Sequence, residues 1–260
     1  EEGKEWTLVD PYEIRQKYNV ELCEYYGEEF EKIYTEIEND DTLTLKKKIN
    51  ARELFKEIMK VQIETGMPYI FFKDNANKAN HNSHAGMIGN GNLCMESFSN
   101  FNPTKNFKEE DINGKGRRSV DLGKIHTCNL VSINLAEIAR WEIPEIVSIA
   151  VRILDNTIDL TKTPIRESDR HNNIYRTIGV GTMGLADFMA NEYMIYEDSL
   201  DEIDNLYEEI ALYTVKASSL LAEKRGAYPA FKGSKWDQGI FFGKDKNWYF
   251  APQSALNLGN

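Results

Sequence analysis

Cysteine is scarce in this chain: three in 260 residues, at positions 23, 94 and 128. They are too few and too scattered for a disulfide framework, and none belongs to the CxxC or CxxH pairs that build zinc sites. Long apolar runs are missing as well, so no segment reads as a membrane span. Basic charge is in deficit, with 31 Lys and Arg against 42 Asp and Glu and a formal net charge of -11. A broad basic surface for nucleic acid is thereby excluded, because such surfaces neutralise phosphates with clustered Lys and Arg. A small nucleotide held in one local pocket is not. The histidines number four, His81, His84, His126 and His171. No cluster of carboxylates or thiols completes a ligand set around them, so they are expected to be solvated loop residues and no metal site is expected. The opening EEGKEW is acidic and polar, unlike the start of a signal peptide, and the expected location is the cytoplasm, with reduced thiols.

The length allows one large or two modest domains. Near the start, a Pro turn and short acidic helical stretches surround Cys23, which is expected to be a small core residue. A helix follows: Asn50 can cap it, Glu53 can complete a capping box, Leu54, Phe55, Ile58 and Val61 supply an apolar face, and Gly66 stops it. Met67–Phe72, MPYIFF, reads as a buried strand, and the polar run from Asp74 to Gly91 as a loop. Residues 98–124 read as a surface insertion. KIHTCNLVSINLAEI suggests a strand leading into a helix. Pro144 suits the first turn of the next helix, whose apolar face is Ile146, Val147, Ala150, Val151, Leu154 and Ile158. A last helix runs from about Asp201 to Arg225, ends at Gly226, and reads as a solvated acidic element. Helices alternating with short buried strands predict an α/β or mixed architecture.

The stretch GNGNLCMES, Gly89 to Ser97, places an amide and a carboxylate two residues either side of a thiol. In an extended segment the side chains of Asn92, Cys94 and Glu96 would share one face. Cys94 would then lie between a hydrogen-bonding amide and a possible general base, an arrangement suited to chemistry at a polar carbon skeleton.

Beyond spacing, GMPYIFFKDNANKANHNSHAGMIGNGNLCMES, HTCNLVSINLAEIA and YRTIGVGTMGLADFMA resemble the catalytic large subunit of class I, aerobic ribonucleotide reductases. WTLVDPYEI, YGEEFEKIY and RGAYPAFKGS are similar to flanking segments of that family, in the same order. The resemblance implies part of a ten-stranded α/β barrel with a central finger loop, here about 86–97, carrying the radical cysteine. It implies that Cys94 becomes a transient thiyl that abstracts the ribose 3′ hydrogen. It also implies that Glu96 takes the 3′-hydroxyl proton, that Asn92 hydrogen-bonds the substrate, and that Cys128 is one of two thiols that reduce the 2′ position. The closing PQSALNLGN suggests a phosphate loop in which Ser254 meets the substrate diphosphate.

The same resemblance implies that no cofactor is bound by this chain. The radical would come from a metal-containing small subunit and the electrons from an external thiol reductant. The family's first barrel strands, with the thiol that pairs with Cys128, and its later tyrosine and cysteine pairs have no counterpart here. The chain is therefore expected to need the remainder of the large subunit. Two rival readings follow from the residues. IGVGTMG matches G-x-G-x-x-G through Gly179, Gly181 and Gly184, with Glu197 at the spacing of a ribose-binding acid, as in a NAD-dependent oxidoreductase. The chain would otherwise be a non-catalytic complementing fragment.

Overall fold

β1 (Glu5–Val9) pairs antiparallel with β2 (Lys46–Asn50), with Thr7 opposite Lys48. This pair opens the first of two compact units, Glu1–Ala79; the second is Asn80–Asn260. The computed structural model describes residues 4–112 and 115–240, without the side chains of 106–120. Asp10 caps α1 (Pro11–Tyr18) by accepting from the Glu13 amide, and proline at the start presets the first turn. Ile14 of α1, Ile37 of α2 (Gly27–Glu38) and Leu43 form the small core of this unit. Buried Thr7 is fixed at both polar ends: its hydroxyl donates to Glu38 at 2.6 Å, and its carbonyl accepts from the Tyr34 hydroxyl at 2.7 Å.

α3 (Ala51–Thr65) begins and ends where the sequence signals place it. The Asn50 side chain accepts from the Arg52 and Glu53 amides, and Gly66 closes the helix with φ of 76°. The reciprocal half of the capping box is not made, because Glu53 instead takes an ion pair with Lys56 at 2.9 Å. The apolar face of α3 is only partly covered: Ile58 and Val61 are half-buried, but Leu54 and Phe55 are exposed. Met67–Phe72 is likewise not the buried strand expected. It lies outside any strand, and Met67, Tyr69, Ile70 and Phe72 are exposed. A strand needs a second strand beside it, and the described strands pair only with one another; the Pro68 carbonyl accepts instead from the Gln62 side chain at 2.6 Å. The expected loop after it starts as a helix, α4 (Lys73–Ala79), with an acid in its first turn and a lysine in its last. Cys23 is exposed on a 3-10 turn, Leu22–Glu24, and is not a core residue.

The second unit contains β3 (Lys105–Ile112) and β4 (Lys115–Asp121), an antiparallel pair, and β5 (Leu130–Asn134) with β6 (Gly179–Met183), a parallel pair. A parallel pair requires a crossover, and here it contains α5 (Ile143–Leu160) and α6 (Arg166–Tyr175). The helix expected directly after Asn134 is only a 3-10 turn, Leu135–Glu137. Pro144 lies in the first turn of α5, and Val147, Ala150, Val151, Leu154 and Ile158 are buried as the periodicity predicts. α7 (Leu185–Asn191) precedes α8 (Leu200–Arg225), which is more than a solvated acidic helix. Its Leu206, Ile210, Ala217 and Leu221 join Ile143, Val147, Ala150 and Val151 in the main core.

Asp155, 2% exposed, is held by Arg176 at 2.6 Å and by Arg225, so that one carboxylate ties the ends of α5, α6 and α8 together. The described residues thus form an α/β arrangement of six strands in three separate pairs. Barrel closure needs every strand paired on both sides, so the described strands close no barrel by themselves.

Candidate active site

Gly91 and Phe98 form an antiparallel bridge, and the chain between them folds back on itself. The Asn92 amide donates to the Ser97 carbonyl at 3.2 Å, and the Met95 amide donates to the Asn92 carbonyl at 3.2 Å. The segment is therefore a tight hairpin tip and not the extended run that the alternating residues suggested. Met95 takes the left-handed conformation, φ 62°, that turns the chain. At Gly91 the Met95 and Phe98 side chains pack close to the backbone, and an added Cβ would lie 2.8 Å from the Met95 sulfur and the Phe98 ring.

The turn joins two of the three side chains. It brings Asn92 and Glu96 together, with the Asn92 side-chain amide donating to Glu96 Oε1 at 2.6 Å. Asn92 Oδ1 accepts from the Ser97 amide at 3.1 Å, so this side chain is held from both ends. Cys94 lies on the same turn, exposed and free, next to Leu93, which is 87% exposed. One exposed turn thus carries a thiol, a carboxylate and an oriented amide.

Cys128 is free and exposed, two residues ahead of the start of β5. Its two neighbours are pinned: the Thr127 hydroxyl donates to Asn172 of α6 at 3.1 Å, and the Asn129 amide group donates to the Thr177 carbonyl at 3.1 Å. His126, two residues before Cys128, meets the Ser97 hydroxyl at 2.7 Å. The segment bearing Cys128 is thereby joined to the base of the hairpin bearing Cys94. Ser254 lies outside the described residues.

His84 is exposed as expected, but two of the other histidines are not. His126 and His171 are buried, at 8% and 0% exposure, with ring centroids 4.9 Å apart. Burial pushes His126 down to about 4, against a pull upward from Glu96, and pushes His171 down to about 3. His171 meets Ser99 Oγ at 2.9 Å, and Ser99 meets Thr177 at 3.1 Å. His81 stacks on Trp236 with centroids 4.4 Å apart. Among the described residues no cluster of His, Cys, Asp and Glu is able to hold a metal. No described helix is long and apolar enough to cross a membrane.

The Asn-rich stretch before the hairpin also has a structural purpose that composition did not reveal. Asn100, buried at 2% exposure, accepts from Asn80 at 2.7 Å and donates to the Asn82 carbonyl at 2.7 Å. The Tyr175 hydroxyl accepts from Lys124 at 3.1 Å and donates to the Ala85 carbonyl at 3.2 Å. Residues 80–100 are therefore held by buried amides and α6. Within 98–124, Ser99 and Asn100 belong to this buried network, and 105–112 pair with 115–121 as β3 and β4.

The dinucleotide reading loses its geometric basis. Gly179 and Gly181 lie inside β6, where the chain runs beside β5; a Cβ on Gly179 would come 2.6 Å from Leu130. Only Gly184 stands at the strand-to-helix turn, with φ of 75° and space for a Cβ closed by Asn134 Oδ1 at 2.4 Å. A pyrophosphate cradle needs its glycines in the loop after the strand.

A family model for the ribonucleotide reductase barrel domain matches residues 1–254. The ribonucleoside-diphosphate reductase subunit alpha of Synechocystis sp. is 51% identical over 251 residues, which are 95% of this chain and 30% of that protein. The subunit of the same name from Helicobacter pylori is 38% identical over 276 residues, 91% of this chain and 34% of the relative. The ribonucleoside-diphosphate reductase large subunit of Plasmodium falciparum is 33% identical over 241 residues, 92% and 28% respectively. The chain spans roughly a third of the length of these relatives. Matched almost from end to end by that model and presenting a thiol, a carboxylate and an amide on one hairpin, the chain belongs to the ribonucleotide reductase barrel-domain family.

Proposed function

We propose that this chain is the central catalytic segment of a ribonucleotide reductase large subunit and reduces ribonucleotides, as diphosphates, to deoxyribonucleotides. The observation that carries the reading is the 2.6 Å contact between Asn92 and Glu96 on the turn that presents the free thiol of Cys94. The hairpin of residues 86–97 is the finger loop, and the parallel β5–β6 pair is a portion of the ten-stranded barrel that surrounds it. Ser254 contacts the substrate diphosphate.

The chemistry balances through these side chains. The Cys94 thiyl takes the 3′ hydrogen atom, leaving a carbon radical and a thiol. Glu96 accepts the 3′-hydroxyl proton while Asn92 orients the same edge of the ribose, so the 2′ hydroxyl departs as water once protonated. Cys128 and a second thiol supply two electrons and end as a disulfide, and Cys94 returns its hydrogen to C3′. The net change is ribonucleotide plus dithiol to deoxyribonucleotide plus disulfide plus water. The radical comes from a metal-containing small subunit and the reducing equivalents from an external thiol reductant, in the cytoplasm. The exposed apolar residues Met67, Tyr69, Ile70 and Phe72 are the kind of surface that the remainder of the subunit covers.

Glu96→Gln in the complete catalytic subunit tests the proton role. The amide oxygen still accepts from Asn92, so the hairpin keeps its closure, but the general base is gone. Deoxynucleotide formation should fall by about 10²–10⁴-fold with substrate binding retained. An unchanged rate in that variant removes Glu96 from the mechanism.

A further inference from the structure

The tip of the hairpin carries reacting groups on a turn that is largely exposed, so something beneath it must fix its position. Ser97 and Ser99 leave the hairpin two residues apart, and each meets a buried imidazole: Ser97 Oγ lies 2.7 Å from His126 Nε2 and Ser99 Oγ 2.9 Å from His171 Nε2. Alternate residues of an extended run share a face, and this face looks onto the histidine pair.

The pair is built at a cost. Nδ1 of His126 and Nδ1 of His171 are both buried without a hydrogen-bond partner. Leaving such an atom unsatisfied costs about 1–3 kcal/mol, and a phenylalanine would fill the same space without that penalty. Packing alone therefore does not account for the imidazoles. The donor-acceptor pattern does. A buried bare lone pair is tolerated better than a buried orphan N–H, which assigns the proton of His126 to Nε2. His126 then donates to Ser97 as a fixed neutral group, and desolvation keeps it neutral at physiological pH.

From there a continuous chain of bonds reaches the chemistry. Ser97 and Asn92 exchange two backbone-anchored contacts, and Asn92 holds Glu96 at 2.6 Å. In the other direction His126 lies two residues from Cys128, whose neighbours Thr127 and Asn129 are tied to Asn172 and to the Thr177 carbonyl. One side chain thus joins the segment of the radical cysteine to the segment of the reducing cysteine.

We propose that His126 is a positioning residue that, through its hydrogen bond to Ser97, sets the placement of Glu96 and Cys94 relative to Cys128. The proposal rests on the reading of those three residues given above. Its signature differs from that of a packing residue, because it depends on a donor at one place and not on volume.

The test uses the complete catalytic subunit with its radical-generating partner. His126→Phe keeps the ring volume and removes the donor; His126→Gln keeps an N–H at similar reach. His126→Phe is expected to lower kcat by about 10- to 100-fold, the scale of a misplacement near 1 Å, with KM for the ribonucleotide unchanged. His126→Gln is expected to recover most of the loss. Ser97→Ala, which removes the same bond from the other side and leaves the buried ring in place, should reproduce the kcat defect. The double variant Ser97→Ala, His126→Phe should be no slower than either single one. Wild-type kcat in His126→Phe or in Ser97→Ala overturns the proposal, as does a His126→Gln variant as slow as His126→Phe. If Glu96→Gln also retains full turnover, the reading of the whole site fails. If Glu96→Gln is inactive and the histidine and serine variants are not, only the positioning role falls.

Discussion

Cys94→Ser in the complete catalytic subunit is expected to abolish deoxynucleotide formation while leaving substrate affinity and subunit assembly at wild-type levels. The residue is exposed at the hairpin tip, so replacing sulfur with oxygen disturbs no packing. A surface exchange of this kind changes stability by no more than about 0.5 kcal/mol. The chemical consequence is far larger. A thiol S–H bond is close enough in strength to a ribose C–H bond for one hydrogen atom to pass in either direction. A serine O–H bond is much stronger, so the hydroxyl does not become the radical that starts the reaction. Product chromatography together with calorimetric binding of the diphosphate separates the two effects. Loss of binding along with turnover would make Cys94 a structural element of the hairpin, and substantial turnover would take the radical role from it.

Acidification from pH 7 to pH 5 should lower the unfolding free energy of the chain by about 4 kcal/mol through His126 and His171. Imidazole ordinarily titrates near 6.5, and burial holds His126 at about 4 and His171 at about 3 in the folded chain. Between those values the unfolded chain binds protons that the folded chain refuses, so stability rises with pH in this window. The contribution is complete above 6.5 and is lost as pH falls toward the folded values, at about 2 kcal/mol for each group at pH 5. His81, lowered by its own burial, adds to the same trend. The depressed carboxylates of Asp40, Asp159 and Glu167 act in the same direction but at lower pH, since their contribution is present above their ordinary values and disappears below them. Urea unfolding at the two pH values measures the loss. His171→Gln should remove about half of it, and a flat profile would show that the imidazoles are not buried and neutral in the fold.

The sequence was most informative where local chemistry decides structure. Asn50, Gly66, Pro144 and Gly226 mark helix ends by satisfying or terminating backbone groups, and those ends lie where they were expected. The periodic apolar face of α5 was equally plain. Elements that depend on partners distant in sequence were not. Met67–Phe72 has the composition of a buried strand, yet pairing is a property of its neighbours and not of its own residues.

At the site, the motif named Asn92, Cys94 and Glu96, but it suggested the wrong backbone. Alternation predicted an extended run, whereas a left-handed Met95 and an Asn92–Ser97 hydrogen-bond pair make a turn. The support beneath the turn was hidden for a different reason. His126, His171, Ser97 and Ser99 are spread over 75 residues and look like ordinary polar positions, because burial of a polar side chain leaves no mark in its own sequence neighbourhood. The one available signal was the alternation of serines directly after Glu96, which pointed to a second polar face.

The central claim is that Cys94 removes a hydrogen atom from C3′ of a ribonucleotide. It is tested most directly by a single turnover of the complete catalytic subunit with a diphosphate substrate carrying deuterium at C3′. The account predicts slower deoxynucleotide formation from the deuterated substrate, with deuterium retained at C3′ of the product after its passage through the Cys94 thiol. Equal rates, with C3′ never broken, would contradict it.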